Sequence, residues 1–148
     1  MKTATPYHRS VNYYETDKMA IVHHSNYIRY FEEARLHWMH EVGLEYSAVE
    51  QMGLMIPVMF AECKYLVPLQ FGQEVEIQVR LDRFDGIKME FSYEIRNCAD
   101  GELCTTGRTG HCFLDDQMRP VRMKKNYPDL YRTMQEALVR DGGTGKVK

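Results

Sequence analysis

A chain of 148 residues has room for one compact domain and is short for two. Hydrophobic residues make up 44% and charged residues 27%, which excludes disorder, and a net charge of −2 argues against a dedicated nucleic-acid binder. No apolar run approaches the ~20 residues of a membrane-spanning helix, and residues 1–6 lack the apolar stretch of a signal peptide, so a soluble cytoplasmic protein is expected, with neither nucleic acid nor membrane as partner.

Taken in chain order, Val11 and Tyr13 alternate with polar neighbours and predict a first strand ending near Tyr14. A loop carrying Glu15-Thr16-Asp17-Lys18 follows. Tyr27, Phe31, Ala34, Trp38 and Val42 then recur at helical spacing and put one apolar stripe on a long helix. Ser25 or Asn26 is expected to cap its start, and Gly43 to supply the left-handed residue after its end. A shorter helix over 45–52 closes in the same way at Gly53.

Residues 54–114 read as strands. The run 74–82 alternates strictly between apolar and polar, and 87–95 is its partner across an Asp85-Gly86 hairpin turn. Asp100-Gly101 makes a second turn, and Pro57 and Pro68 bracket an earlier strand that should be irregular or lie near an edge. A last helix spans 128–139. The order predicts an α+β domain over 1–140, in which an antiparallel sheet of about five strands curls around one long helix. Residues 141–148 read as a flexible tail. Its glycines give only a faint phosphate-loop pattern, since Arg140 stands for the first glycine and Val147 for the magnesium-binding hydroxyl.

Four cysteines, at 63, 98, 104 and 112, form no C-x-x-C pair and read as reduced thiols. Cys112 beside His111 is a poor nucleophile–base couple, because strand neighbours point to opposite faces. Glu33, His37 and Glu41 share a helix face away from the apolar stripe and read as surface, so no metal site is expected.

The segment from Tyr13 to Tyr27 sets an acidic loop against two adjacent histidines, His23 and His24, at the mouth of the long helix. The first turn of a helix presents unpaired N–H groups, which suit a carbonyl oxygen that becomes negative. A carboxylate beside it could attack a carbonyl carbon or activate water towards it. The competing reading of Asp17 is a loop residue that satisfies backbone N–H groups.

Tyr13, Thr16-Asp17, Ile21-Val22, His24 and Asn26-Tyr27, continued by Tyr30-Phe31-Glu32 and Ala34-Arg35, resemble the active-site signature of the hotdog-fold acyl-CoA thioesterases of the 4-hydroxybenzoyl-CoA thioesterase family. The resemblance implies a hotdog fold and hydrolysis of acyl-CoA without a cofactor. It implies Asp17 as nucleophile or general base, with Tyr13 and His24 lining the same site. A backbone N–H at or next to His24, at the helix start, would polarise the thioester carbonyl, and Asn26 would hold the loop against the helix. Glu32 is a rival carboxylate, because some hotdog thioesterases place theirs on this helix. The family usually has glycine where this chain has Ala20, a departure that costs on the order of 1 kcal/mol if the position needs a positive φ.

Coenzyme A carries phosphates, so Arg83 and Lys88 beside the hairpin, and Arg119, Arg122, Lys124 and Lys125 after the last strand, are candidates for its rim. The soft run Met55, Ile56, Val58, Met59 and Phe60 is a candidate acyl-pocket wall that favours an aliphatic or mixed acyl group over a rigid aromatic one. The resemblance also implies edge-to-edge dimers, often paired into tetramers, with the site at the seam. A non-catalytic acyl-CoA or acyl-carrier-protein binding module, and an acyl-carrier-protein thioesterase, are the alternatives.

Overall fold

The computed structural model describes residues 4–145. Five antiparallel strands, β1 (Tyr7–Ser10), β2 (Val58–Tyr65), β3 (Glu74–Phe84), β4 (Lys88–Asn97) and β5 (Leu103–Cys112), form one sheet in the order β1-β3-β4-β5-β2. Helix α1 (Ser25–Glu41) lies against the apolar face of that sheet. Alternation explains the register. Val75, Ile77, Val79 and Leu81 of β3 and Met89, Phe91, Tyr93 and Ile95 of β4 are buried on the helix side. The expected hotdog arrangement, a long helix wrapped by a five-stranded sheet, is the one observed.

The predicted stripe is the packed face of α1. The Phe31 ring stacks on Tyr93 with centroids 4.4 Å apart, and Trp38 meets Phe91 edge-on at 5.0 Å. Gly107 on β5 lets the sheet close on the helix here, since a Cβ at that position would sit 2.3 Å from the Phe31 ring. Short helix α2 (Tyr46–Gln51) follows α1. Gly43 and Gly53 take φ of +86° and +78° at the two helix ends, as the sequence predicts. The Asp85-Gly86 turn is also as expected, with Asp85 Oδ1 accepting from the Ile87 and Lys88 N–H groups. Strand β2, bracketed by prolines, is an edge and carries a bulge between Val58 and Phe60.

Three expectations need correction. The first strand ends at Ser10, not Tyr14. Asn12 starts a single 3-10 turn, Tyr13–Glu15, in which the Glu15 carboxylate reaches back to the Asn12 N–H at 2.8 Å. A one-turn helix α3 (Met123–Asn126), which the sequence reading missed, precedes α4 (Pro128–Arg140).

The third correction concerns the tail. Asp141 Oδ2 accepts from Trp38 Nε1 at 3.0 Å and from Leu81 N at 2.8 Å. Thr144 continues the sheet beside Arg83, beyond the Tyr7 start of β1, exchanging backbone bonds with Asp82 and Phe84. A buried tryptophan N–H needs an acceptor, and Asp141 is it. Residues 146–148, with the Lys146 and Val147 of the faint phosphate-loop pattern, lie outside the described residues.

Candidate active site

The loop between the 3-10 turn and α1 is folded by its own backbone. Asp17 N donates to Ile21 O and Ala20 N to Asp17 O, both at 2.9 Å, which makes a tight turn over 17–21. Ala20 sits in that turn with a φ of +63°, the left-handed conformation that favours glycine. Val22 N donates to Leu69 O at 2.8 Å, so the loop is pinned to the segment entering β3.

Beneath the loop lies a salt-bridge anchor that the sequence reading missed. Buried Glu15 accepts from Arg9 Nη2 at 2.7 and 2.9 Å and from the Tyr30 hydroxyl at 2.9 Å. Arg9 also meets Glu33 at 2.7 and 2.9 Å, and its guanidinium lies 4.0 Å from the centre of the Tyr30 ring. Burial, then the hydrogen bond to Glu15, pushes the Tyr30 hydroxyl well above the ordinary tyrosine range. Glu15 O takes the His23 N–H at 2.8 Å and Asn26 Nδ2 at 2.9 Å. One residue therefore fixes β1, the loop and the start of α1 to one another. Nothing in the sequence distinguishes Glu15 from the other acids of its loop, because its partner Arg9 lies on a different element.

Neither Ser25 nor Asn26 caps the helix as expected. His24 occupies the cap position with helical backbone angles. The His23 ring takes the capping role: its Nδ1 accepts the Ser25 N–H at 3.2 Å and lies 2.8 Å from Ser25 Oγ. Asn26 is buried, accepting from Arg29 as well as donating to Glu15. Among the described residues no acceptor takes the backbone N–H of His24, which leads the helix.

Asp17 and His24 line one groove of about 250 Å³, walled by Met19, Ile21, Val22, Tyr27, Tyr65 and Pro68. Asp17 is partly exposed. Its Oδ1 accepts the Met19 N–H at 2.8 Å, and among the described residues Oδ2 has no partner. The Tyr65 hydroxyl, from β2, lies 3.5 Å from His24 O, and its ring meets Tyr27 edge-on at 4.9 Å. The arrangement joins a carboxylate, a free helix-leading N–H and apolar walls, which is what attack on a carbonyl carbon requires.

The remaining sequence candidates fall elsewhere in the chain. The Tyr13 ring is 75% exposed and packs edge-on against Phe71, outside the groove. Met59 is exposed on β2, six residues from Tyr65, so the Met55–Phe60 run does not wall the groove within one chain. Arg83, Lys88, Arg122 and Lys124 gather at the hairpin end of the sheet, the end opposite Asp17. There Tyr131 packs under Gly86 and lies 5.9 Å from Lys124 Nζ. Glu32 lines a second cavity, of about 270 Å³, with Leu36, Met39, Ile56 and Met89. Arg35 turns from Glu32 to the Tyr93 hydroxyl at 3.2 Å.

Residues 11–138 match the thioesterase-like superfamily. A Bacillus subtilis (strain 168) protein provisionally named as an acyl-CoA thioesterase, YneP, is 31% identical over 128 residues, covering 86% of this chain and 92% of that one. A provisionally named esterase of Aquifex aeolicus (strain VF5) is 42% identical over 108 residues, 73% of this chain and 83% of its own. The solved DHNA-CoA thioesterase of Staphylococcus aureus superposes with a TM-score of 0.86 at 28% identity, over 97% of this chain and 96% of that one.

Proposed function

The chain belongs to the thioesterase-like superfamily and is a thioester hydrolase, and from that premise we propose that it cleaves acyl-CoA to a carboxylic acid and CoA with Asp17 as the reacting carboxylate. The observation that carries the proposal is the shared groove: Asp17 faces the same small volume as His24, whose N–H is free at the head of α1. A thioester seated there points its carbonyl oxygen at that N–H and its carbonyl carbon at Asp17 Oδ2. Negative charge builds on the oxygen as the carbon becomes tetrahedral. A fixed donor at that position is worth roughly 3–4 kcal/mol where such donors have been removed.

Asp17 can act in two ways. As a general base it takes a proton from water, the hydroxide adds to the carbonyl carbon, and collapse of the oxyanion expels the thiolate. As a nucleophile it bonds to the carbon itself, the thiolate leaves, and water cleaves the mixed anhydride. Both routes consume one water and end in acid and thiol. A thioester needs neither metal nor cofactor for this, because sulfur donates little resonance to the carbonyl and leaves readily as thiolate.

The groove borders Tyr65 on β2, and β2 is an edge strand with Val58, Met59 and Tyr65 exposed along it. An unpaired edge of this length favours pairing with another strand. Pairing two copies along β2 about a two-fold axis would lay the Val58 end of one against the Tyr65 end of the other. That places the site at a seam and brings Met59 and the basic hairpin end of a second chain toward Asp17.

A panel of short-chain, palmitoyl and aryl CoA thioesters with an acyl-carrier-protein thioester, read with a thiol-reactive dye, tests the reading. Release of CoA by the wild type and its loss in Asp17→Asn is the expected result. Binding of the thioesters without release would make the chain a binding module, and release only from acyl-carrier protein would move the substrate class.

A further inference from the structure

On the outer face of the sheet, away from α1 and the groove, three side chains from three segments converge. His8 of β1 stands directly opposite Glu76 of β3 in the strand register, and Cys98 opens the β4–β5 turn beside them. His8 Nε2 lies 3.9 Å from Glu76 Oε2, His8 Nδ1 lies 3.8 Å from Cys98 Sγ, and one ligand atom from each residue falls within 4.8 Å of the other two. We propose that His8, Glu76 and Cys98 form a binding site for a borderline-soft divalent cation, zinc foremost.

The chemistry of the donors selects the ion. Thiolate, imidazole and carboxylate together match zinc, whereas magnesium and calcium take oxygen ligands alone. Zinc bonds sulfur at about 2.3 Å and nitrogen or carboxylate oxygen at about 2.0–2.2 Å, so tetrahedral neighbours stand roughly 3.3–3.6 Å apart. One ion takes a single His8 nitrogen, so the side chains must rotate to bring separations of up to 4.8 Å into that range. Three protein ligands leave the fourth position to water. Each cation bound releases one proton, as the Cys98 thiol becomes thiolate.

The backbone holds the three residues in place. Strand pairing fixes His8 against Glu76, and Cys98 N donates to Glu74 O at 2.9 Å. The cation that could compete for Glu76 is Arg96, its neighbour across β3 and β4. Arg96 is engaged with Glu94 Oε2 at 2.9 Å and with Gly101 O at 3.2 Å. Glu74, the other acid nearby, is hydrogen-bonded by the Ser10 hydroxyl. Binding would staple the four-residue edge strand β1 to β3 and to the β4–β5 turn.

Titration of the reduced, metal-free protein with Co²⁺ alone tests this, followed by displacement with Zn²⁺. The expected result is a sulfur-to-cobalt charge-transfer band that saturates at a single equivalent per chain and is abolished by zinc. Cys98→Ser should remove the band, and His8→Ala and Glu76→Gln should each weaken binding at least tenfold. All three positions are surface ones outside the groove, so thioester hydrolysis should stay at the wild-type rate. Absence of the band in the wild type overturns the proposal. So does a band of equal strength in Cys98→Ser, which would assign it to another cysteine.

Discussion

Arg9 and Glu15 form a two-pronged ion pair sealed between β1 and α1, with both carboxylate oxygens on one guanidinium nitrogen at 2.7 and 2.9 Å. Each side chain is less than a tenth exposed. Removing one member of such a pair strands the other charge in a desolvated site, and the usual cost is about 3–5 kcal/mol. Arg9→Ala, which leaves buried Glu15 without its cation, should lower the stability of the fold by that order in urea denaturation, and Glu15→Ala by less, because Arg9 keeps Glu33. Because Glu15 O also holds His23 and Asn26, the milder Glu15→Gln should lower kcat more than it raises KM, by misplacing a helix start that remains folded.

Asp17→Asn separates the chemical role of that residue from its structural one. An asparagine oxygen can still accept the Met19 N–H that Asp17 Oδ1 takes at 2.8 Å, so the turn should survive and the melting temperature should hold within a few degrees. Hydrolysis should fall by about 10²–10⁴-fold, the range for loss of a positioned acid–base group. A single turnover of wild-type enzyme in H₂¹⁸O would then divide the two routes. Label found in the Asp17 carboxylate marks the anhydride, opened by water at the aspartyl carbon. With label only in the product acid, hydroxylamine capture of an Asp17-bound acyl group separates an anhydride opened at the acyl carbon from activated water.

Local signals and long-range ones were not equally legible. The stripe through Phe31 and Trp38, the Asp85-Gly86 turn and the edge position of the proline-bracketed β2 each depend on neighbours in the chain or on backbone preferences, and each could be read. The left-handed conformation at Ala20 was signalled only by the resemblance, through the glycine that the family usually has there. The Arg9–Glu15–Tyr30 anchor could not be read, because its members are 6 to 21 positions apart and only the folded sheet brings them together. The grip of Asp141 on Trp38 spans 103 positions, and a Gly-rich stretch after a helix otherwise reads as fraying. Tyr13 misled for a related reason. The segment leaves β1 early into a 3-10 turn and sends its ring outward to Phe71.

Ala20 holds a φ of +63°, where an L side chain is strained by about 1–2 kcal/mol. Glycine relieves that strain but gives the unfolded chain more freedom, which returns roughly 0.5–1 kcal/mol. Ala20→Gly should therefore stabilise the protein by about 0.5–1 kcal/mol in chemical denaturation. The catalytic rate should change little, since the turn over 17–21 is already formed.

His111 is buried on β5 with Nε2 2.8 Å from Thr109 Oγ1. Burial, then the Arg35 charge, holds its pKa down at about 3, against a Pro57 carbonyl that acts the other way. The folded protein keeps this ring neutral, while the unfolded chain takes up a proton near the ordinary histidine value of about 6.5. Protons thus favour the unfolded state between those two values. The stability present above about pH 6.5 is lost as pH falls, at up to about 1.4 kcal/mol per unit, until the folded ring protonates near 3. His111→Gln should show a correspondingly shallower loss across pH 6 to 4 than the wild type.

The basic side chains Arg122 and Lys124 lie at the hairpin end of the sheet and Asp17 at the other, so a single chain does not bring them to one substrate. Two chains paired along β2 would, because two-fold symmetry sets the hairpin end of each beside the groove of the other. Reversing both charges, Arg122→Glu with Lys124→Glu, should then raise KM for an acyl-CoA several-fold while leaving a truncated pantetheine thioester almost unaffected, since only the former carries the phosphates. Sedimentation of the wild type should give a dimer or a multiple of one. A fully active monomer, or equal KM changes for the two thioesters, would detach the basic end from substrate binding and leave Asp17 and His24 to act within one chain.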